Sequence, residues 1–192
     1  YYVMPFMDAW TNVFAMVGKR TTGTDPGNYL IAGPEWKGTL PEGLEIIQAP
    51  TNMTWLIGRI QTNGKDDFQN VFNLQEQFTL TSLENWKSRR SYPSYLVKKE
   101  IPKKGKDASG IVEQMSPETF FASLSRLMGE QPPSKEDAPV VAKLKSFGIE
   151  PGKPFNMENL GPVKRILLKK AVETTRKKLR ETQAKIEKLE IQ

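Results

Sequence analysis

Short apolar runs alternate with clusters of Gly, Pro, Asn and Asp along the first sixty residues of the chain. Runs of this length, rich in aromatic and β-branched residues and bounded by turn-forming residues, are typical of β-strands. Their close spacing favours an antiparallel β-barrel or sandwich. We predict strands at Tyr1 to Met7, Asn12 to Val17, Tyr29 to Ala32, Leu44 to Gln48 and Thr54 to Gln61.

Helical periodicity replaces this pattern after Gly64, where Asp66 or Asp67 is suited to cap a helix. A second helix is predicted from Pro117, after the cap residue Ser116, to about Met128, and a third over residues 135–147. The predicted fold class is therefore α+β: a β-barrel or sandwich core followed by a mainly helical C-terminal part with a long terminal helix. We divide the chain into a β-rich core (1–86), a basic connector (87–109), a helical segment (110–160) and a linker helix (161–192).

All of the net charge of +6 belongs to the last segment, which holds ten Lys or Arg and four Asp or Glu. Seven positions there follow a four-three spacing and form one stripe of an amphipathic helix. We favour a solvated linker helix whose stripe packs against its own or another domain, over binding to nucleic acid, to an anionic membrane or to a second copy in a homo-oligomer. The stripe is Leu168, Val172, Thr175, Leu179, Thr182, Ile186 and Leu189.

The absence of Cys and His removes several kinds of chemistry. A disulfide, a thiolate nucleophile, a Ser-His-Asp triad and an ordinary zinc or copper site all need one of these residues. Carboxylate, lysine, tyrosine, hydroxyl and arginine chemistry remain open, as does an oxygen-ligand cation. We predict no metal site and no cofactor. No apolar run approaches the roughly 18 residues of a membrane span, so no membrane insertion is predicted.

Polar residues interrupt or bound the first strands at Asp8, Thr11, Asn12, and at the Arg20-Thr21-Thr22 run. Buried polar groups are tolerated only with partners, so these residues indicate a hydrogen-bonded constellation. Three segments carry a family resemblance: FMDAWTNVFAMVGKRTTG from Phe6, GPEWKG from Gly33 and PTNMTWLIGR from Pro50. Together they resemble the bacterial family called domain of unknown function 1254.

The resemblance implies a longer protein, since the companion domain of unknown function 1214 usually follows in the same polypeptide. It also implies an Asn-x-Asp-Thr-x-Tyr motif ahead of Tyr1-Tyr2, so we interpret the chain as an internal piece. Because family members often carry signal peptides, the resemblance implies a periplasmic or secreted location. No signal peptide is visible in the residues themselves.

Candidate site residues come mainly from the last predicted strand. Alternation places Trp55, Ile57 and Arg59 on one strand face, where a guanidinium can clamp a carboxylate or phosphate. The alternative, which we favour, is a structural ion pair between Arg59 and an internal acid such as Asp8. Asp8 is too isolated for paired-carboxylate hydrolysis.

Two further candidates are expected on turns and loops. Arg20 begins a segment that either holds an anion or simply closes a strand pair, and we favour the second. Trp36 either forms a ligand platform or folds back as a lid over the core, and again we favour the second. The candidate ligand-binding residues are therefore Asp8, Asn12, Arg20, Trp36, Trp55 and Arg59.

Three functional classes follow. The first is an extracytoplasmic domain that binds a small carbohydrate or anion near Trp36, Arg20 and Arg59. The second is a hydrolase that uses carboxylates or a cation and requires the companion domain. The third is a scaffold or assembly protein whose long basic helix makes the contact. Converging acids in a cleft would favour the second class, and a closed core with paired arginines the third.

Overall fold

The computed structural model describes residues 1–88 and 108–189. The chain forms two compact units, residues 1–103 and 104–192, and each is treated by itself below. Of the predicted connector 87–109, residues 89–107 lie outside the described part, while its two ends belong to helices.

The described part of the first unit, residues 1–88, contains six strands, which lie close to the predicted positions. Strands β1, β2 and β5–β6 form one antiparallel sheet, here called sheet A, in which β1 is central and β5 and β6 both pair with it. Strands β3 and β4 form a separate two-stranded sheet. The strands are β1 (Tyr2–Met7), β2 (Val13–Gly18), β3 (Tyr29–Ala32), β4 (Glu45–Gln48), β5 (Trp55–Leu56) and β6 (Arg59–Ile60).

The architecture differs from a fully antiparallel barrel in two ways, and the predicted sandwich core is not confirmed. The pair β3 and β4 is parallel, with Tyr29 opposite Glu45 and Ala32 opposite Gln48. The strands of the described residues also form two small open sheets with no closed barrel. The coarser prediction of mixed helix and strand with a long terminal helix is confirmed.

The predicted strand Thr54 to Gln61 is split because Pro5 faces its middle. One register runs through both halves, with Met7 opposite Trp55 and Val3 opposite Arg59. The backbone N–H of Ile57 donates to the Pro5 carbonyl at 3.4 Å. Proline has no N–H with which to return the bond, so the ladder breaks at Ile57 and Gly58.

The helix expected after Gly64 is present, preceded by a single 3₁₀ turn at Lys65–Asp67. Asp67 occupies the N-cap position of α1 (Phe68–Gln75), but its carboxylate does not cap the helix backbone. It instead accepts from the Asn63 backbone N–H at 3.0 Å and from the Asn70 side chain at 3.0 Å. A further short helix, α2 (Leu83–Ser88), ends the described part of this unit.

The second unit is helical. Its elements are α3 (Ala108–Gln114), α4 (Pro117–Glu130), α5 (Ala138–Lys145) and α6 (Pro162–Leu189). The predicted start of α4 is confirmed, since Ser116 Oγ accepts the Thr119 N–H at 3.0 Å and Pro117 opens the helix. Helix α5 is shorter than the predicted 135–147 segment because a 3₁₀ turn at Lys135–Asp137 precedes it.

A buried serine joins α4 to the chain that follows α5. Ser125 is fully buried; its hydroxyl bonds to the carbonyls of Glu150 and Lys153, the latter at 2.8 Å. The Ser125 carbonyl in turn accepts the Gly152 N–H at 2.7 Å. Phe121 stacks edge-on against Phe155, with ring centroids 5.9 Å apart. These contacts form the centre of the unit's core.

Candidate functional site

The register of sheet A arranges its side chains in rows across three strands. Directly opposed residues of an antiparallel pair share a sheet face, so Val13, Met7 and Trp55 form one row, and Gly18, Val3 and Arg59 form another. Between them, Met16 and Ile57 flank the buried Pro5. We call the exposed members of this face the open face: Val13, Met16, Trp55, Ile57 and Arg59.

Two guanidinium groups lie at one end of the open face. Arg59 is opposite Val3, and the Arg20 guanidinium stands over the ring of Tyr1, 5.5 Å from its centroid. Tyr1 and Val3 are two residues apart and therefore point to the same side of the strand. Both arginines are exposed, and none of the ion pairs within the described ranges includes either of them.

Around Arg20 the backbone forms a closed turn, as the favoured interpretation predicted. The Gly18 carbonyl accepts the backbone N–H groups of Thr21 and Thr22, and Thr22 Oγ1 accepts the Gly18 N–H at 3.1 Å. Gly23 follows with φ 84°, a left-handed conformation that glycine tolerates best. The Tyr2 hydroxyl donates to the Gly23 carbonyl at 3.1 Å. The turn thus holds Arg20 beside β1, with its guanidinium exposed over the Tyr1 ring.

Asp8 and Asn12 form the hairpin loop at the opposite end of β1. One carboxylate oxygen of the buried Asp8 accepts the backbone N–H groups of Trp10 and Asn12, each at 2.9 Å. The other oxygen accepts from Asn12 Nδ2 at 3.1 Å. Thr11 lies between them with φ 68°. The polar residues of the first segment therefore do make a hydrogen-bonded constellation, and it shapes a turn.

The favoured ion pair between Arg59 and Asp8 is wrong. Asp8 satisfies its carboxylate inside its own loop, while Arg59 is exposed opposite Val3. Five residues of strand separate Val3 from Asp8, which corresponds to roughly 17 Å. Local backbone donors hold the acid, so no buried cation is needed.

The two candidate tryptophans differ in exposure and position. Trp55 is 51% exposed on the open face, opposite Met7 and about 13 Å along the strand from the Arg59 row. Trp36 is half-buried in the loop after β3, and a Cβ placed on Gly38 would lie 2.7 Å from its ring. Its indole therefore lies against its own loop, and the favoured interpretation of Trp36 as a lid over the core stays a prediction. Trp55 and Arg59 share one face, whereas none of the hydrogen bonds, ion pairs or ring contacts of the described residues joins Trp36 to Arg20 or Arg59.

Two neighbouring residues that link the three family segments, Thr51 and Asn52, were not singled out from the sequence. Thr51 is fully buried; its Oγ1 accepts the Ala9 N–H at 2.9 Å and donates to the Met53 carbonyl at 2.7 Å. Next to it, Asn52 Oδ1 would lie 2.8 Å from a Cβ built on Gly33. The sequence feature that could have identified Thr51 is a hydroxyl residue directly after Pro50, inside the third segment.

In the first unit, the carboxyl of Asp67 has a pKa below its ordinary value. The hydrogen bond from the Asn70 side chain, and then that from the Asn63 N–H, lower the pKa of its carboxyl because they favour the charged form. The acid is thereby held ionised and engaged in local structure. Asp67 thus has the chemistry of a loop anchor.

A cleft of about 490 Å³ opens in the second unit at the start of α6. Its wall includes Phe147, Asn159 and Lys164. Lys164 Nζ donates to the Ser146 carbonyl at 2.6 Å and lies 5.8 Å from the Phe147 ring centroid. The one lysine in the wall is therefore committed to joining α6 to the end of α5.

Comparison with known proteins supports the resemblance and the fold. Residues 1–82 match the sequence model of the family described as Protein of unknown function (DUF1254). No curated protein matches the chain. The crystal structure of the VPA0106 protein from Vibrio parahaemolyticus is similar, with 22% sequence identity and a TM-score of 0.63. The match covers 93% of this chain and 40% of that protein, so the chain spans less than half of its solved relative.

Proposed function

We propose that this chain, whose residues 1–82 carry the DUF1254 sequence pattern, is a noncatalytic binding domain for an anionic carbohydrate. The observation that supports it is the open face, where Trp55 and Arg59 lie on the same side of one strand register, with Arg20 at the arginine end. No other pair of candidate residues combines an exposed aromatic ring with an exposed guanidinium on one face of the described residues.

Each part of this face suits one part of such a ligand. The exposed indole of Trp55 offers an apolar plane with a polar edge, on which a sugar ring can stack. Arginine presents a planar fork of donors that matches a carboxylate in two parallel hydrogen bonds. The separation of about 13 Å between the two rows means that one ligand must extend along the strand to reach both.

Arg20 is positioned for the same task. Its guanidinium lies over the Tyr1 ring, which restricts its movement and leaves the donors on its edge open. Gly18 and Arg59 flank Val3 on opposite sides, about 10 Å apart across two strand spacings. Two exposed cations at the same end of the face suit a chain of acidic sugars better than a single small anion.

The test measures binding of oligogalacturonate and of an uncharged oligogalactan of equal length by calorimetry. We expect the acidic ligand alone to bind, and Arg59→Met, Arg20→Met and Trp55→Ala each to weaken it at least tenfold. Because Arg59 is exposed, Arg59→Met should leave the thermal midpoint unchanged. Arg126→Met, an exposed arginine of the second unit, is the matched control.

Equal binding of both ligands, or wild-type affinity in Arg59→Met, would contradict the proposal. A large loss of stability in Arg59→Met would restore a structural role for this residue. The proposed location is periplasmic or secreted, which rests on the family resemblance and is tested by fractionating cells that express the native gene.

A second candidate function is assembly with the companion domain. Its support is the apolar part of the open face, where Val13, Met16 and Ile57 are all exposed by more than two-fifths. Exposed apolar rows of this kind are typical of contact surfaces. Met16→Asp would then reduce association with the separately expressed companion domain, while Arg59→Met would not. The hydrolase alternative stays a prediction.

A further inference from the structure

The apolar stripe of α6 is covered by its own unit over only part of its length. Leu168 is buried and Val172 is half-buried. Further along, Leu179 is 64% exposed and Ile186 is 50% exposed. The stripe therefore starts in the core of the second unit and continues as an open apolar surface, which was not evident from its spacing alone.

Helix α3 already occupies one flank of this stripe. Arg176 donates to the Met115 carbonyl at 2.6 Å, and Arg180 forms an ion pair with Glu113. Helix α6 therefore holds a short neighbouring helix through two arginines. One contacts a carbonyl at the end of that helix, and the other contacts an acidic side chain. Cations near a helix C-terminus are also favoured by the helix dipole.

The opposite flank of the stripe also carries cationic side chains, but these have no ion-pair partner in the described residues. At about 100° per residue, Lys178 and Lys185 lie on the other side of Leu179 and Ile186 from Arg176. Both lysines are exposed, and no ion pair found in residues 1–88 or 108–189 includes them. An apolar strip with unpaired cations along one edge is complementary to an apolar strip with carboxylates along its edge.

Charge argues against a second copy of α6 as the occupant. The residues that flank the stripe are Lys169 and Arg176 on one side and Lys178 and Lys185 on the other. Pairing two such helices in antiparallel orientation would bring lysine to lysine, which is destabilising. A parallel pair would gain less than a fully matched one, because Gln183 faces Lys178 in that arrangement and only Lys185 meets an acidic position of the sequence, Glu190.

A lipid surface is also a poor match. Helices that lie in a membrane interface usually present Trp, Phe or Leu over a broad apolar face. Residues 162–189 contain no aromatic residue, and Thr175 and Thr182 interrupt the stripe.

We propose that the part of α6 from Thr175 to Ile186 docks an acidic amphipathic helix of a partner protein. Leu179 and Ile186 contact the partner's apolar residues, and Lys178 and Lys185 pair with its carboxylates. The surface belongs to the second unit and does not depend on the open face of sheet A, so the two proposals stand or fall separately.

The test uses the full chain and a synthetic peptide of about 21 residues, long enough to form a helix on binding. The peptide has leucines at heptad positions a and d and glutamates at e and g, whose mutual repulsion keeps it monomeric at neutral pH. A second peptide has lysines at e and g. Binding is followed by fluorescence anisotropy of a labelled peptide at low and high salt.

We expect the glutamate peptide to bind at least tenfold more tightly than the lysine peptide, and salt to reduce the difference. Leu179→Asp and Ile186→Asp should each weaken binding of the glutamate peptide tenfold or more. The double variant Lys178→Glu with Lys185→Glu should reverse the preference between the peptides. Matched controls are Val163→Asp and Ile166→Asp, which alter exposed apolar residues of the same helix outside the stripe.

Three results would overturn the proposal. The first is equal or absent binding of the two peptides. The second is a concentration-dependent dimer that Leu179→Asp abolishes, which would assign the surface to a second copy. The third is binding to phosphatidylglycerol vesicles with no binding of peptide, which would assign it to a lipid surface. Circular dichroism of each variant confirms that the exposed substitutions leave the helix intact.

Discussion

The hydroxyl of Thr51 and the backbone N–H of Ala9, 42 residues apart in sequence, are joined by a hydrogen bond of 2.9 Å. The same hydroxyl donates to the Met53 carbonyl at 2.7 Å. A single buried oxygen thus fixes the hairpin loop of the first family segment to the backbone of the third. The Thr51 hydroxyl therefore helps to fix the position of this loop.

Replacing Thr51 with Val should destabilise the protein by about 1–3 kcal/mol, because the shape is retained while the Ala9 N–H and the Met53 carbonyl lose their partner. Urea unfolding measures the change. Thr24→Val, at an exposed position, should shift the midpoint very little. Equal effects of the two variants would show that the Thr51 hydroxyl contributes nothing specific.

Two substitutions of Asp8 should lower the stability of the protein to different degrees. Asp8→Ala removes the acceptor for three N–H groups and should cost at least about 1–3 kcal/mol. Asp8→Asn keeps one carbonyl oxygen for the backbone N–H groups of Trp10 and Asn12 and should cost clearly less. Asp25→Ala serves as the exposed control. If Asp8→Asn is as damaging as Asp8→Ala, the charge matters more than the turn geometry.

Gly129→Ala should destabilise α4 although alanine is the better helix former by up to about 1 kcal/mol. A Cβ at this position would lie 2.4 Å from the Gly152 Cα, so one backbone segment must move. We expect a loss of about 1–3 kcal/mol by chemical denaturation. At Gly161 an added Cβ meets no atom within 4 Å, so Gly161→Ala is the comparison. Increased stability of Gly129→Ala would mean that the close approach of the two glycines is not required.

The pKa of Glu150 should lie below its usual range. The Lys153 ammonium donates to its carboxylate at 2.9 Å and favours the charged form, with Lys145 adding a smaller contribution. A folded pKa below the unfolded one adds stability that is complete above the unfolded value, about 4.3, and is lost as the pH falls through the folded value. Lys153→Met should raise the pKa of Glu150, measured by carboxyl carbon NMR titration. Lys135→Met, exposed and remote in sequence, should leave it unchanged.

Local signals made helices α1, α4, α5 and α6 and most strands predictable, whereas the short helices α2 and α3 were not predicted. Ser116 and Pro117 define the start of α4 within their own turn, and Tyr29–Ala32 matches its prediction because breakers bound it on both sides. The parallel pairing of β3 with β4 was not predictable, since a four-residue apolar run has the same pattern in either orientation. It depends on the path of the chain between the two strands.

The sequence predicted which residues share the candidate site, but it did not predict which groups they contact. Alternation correctly placed Trp55 and Arg59 on one face. The partner assigned to Arg59 was wrong because Asp8 is satisfied by backbone donors in its own loop, which composition does not reveal. Likewise, the stripe of α6 predicted an apolar surface, but the extent of its coverage depends on neighbouring segments.

Because of Pro5, the strand segment 55–60 is hydrogen-bonded to β1 at two separate places. Because the strand opposite it is held in two short stretches, Trp55–Leu56 and Arg59–Ile60, either stretch can detach while the other stays hydrogen-bonded. Amide exchange should therefore show two independent opening events along one register. The proposed ligand would then engage the tryptophan end and the arginine end one after the other, and its dissociation would occur in two steps.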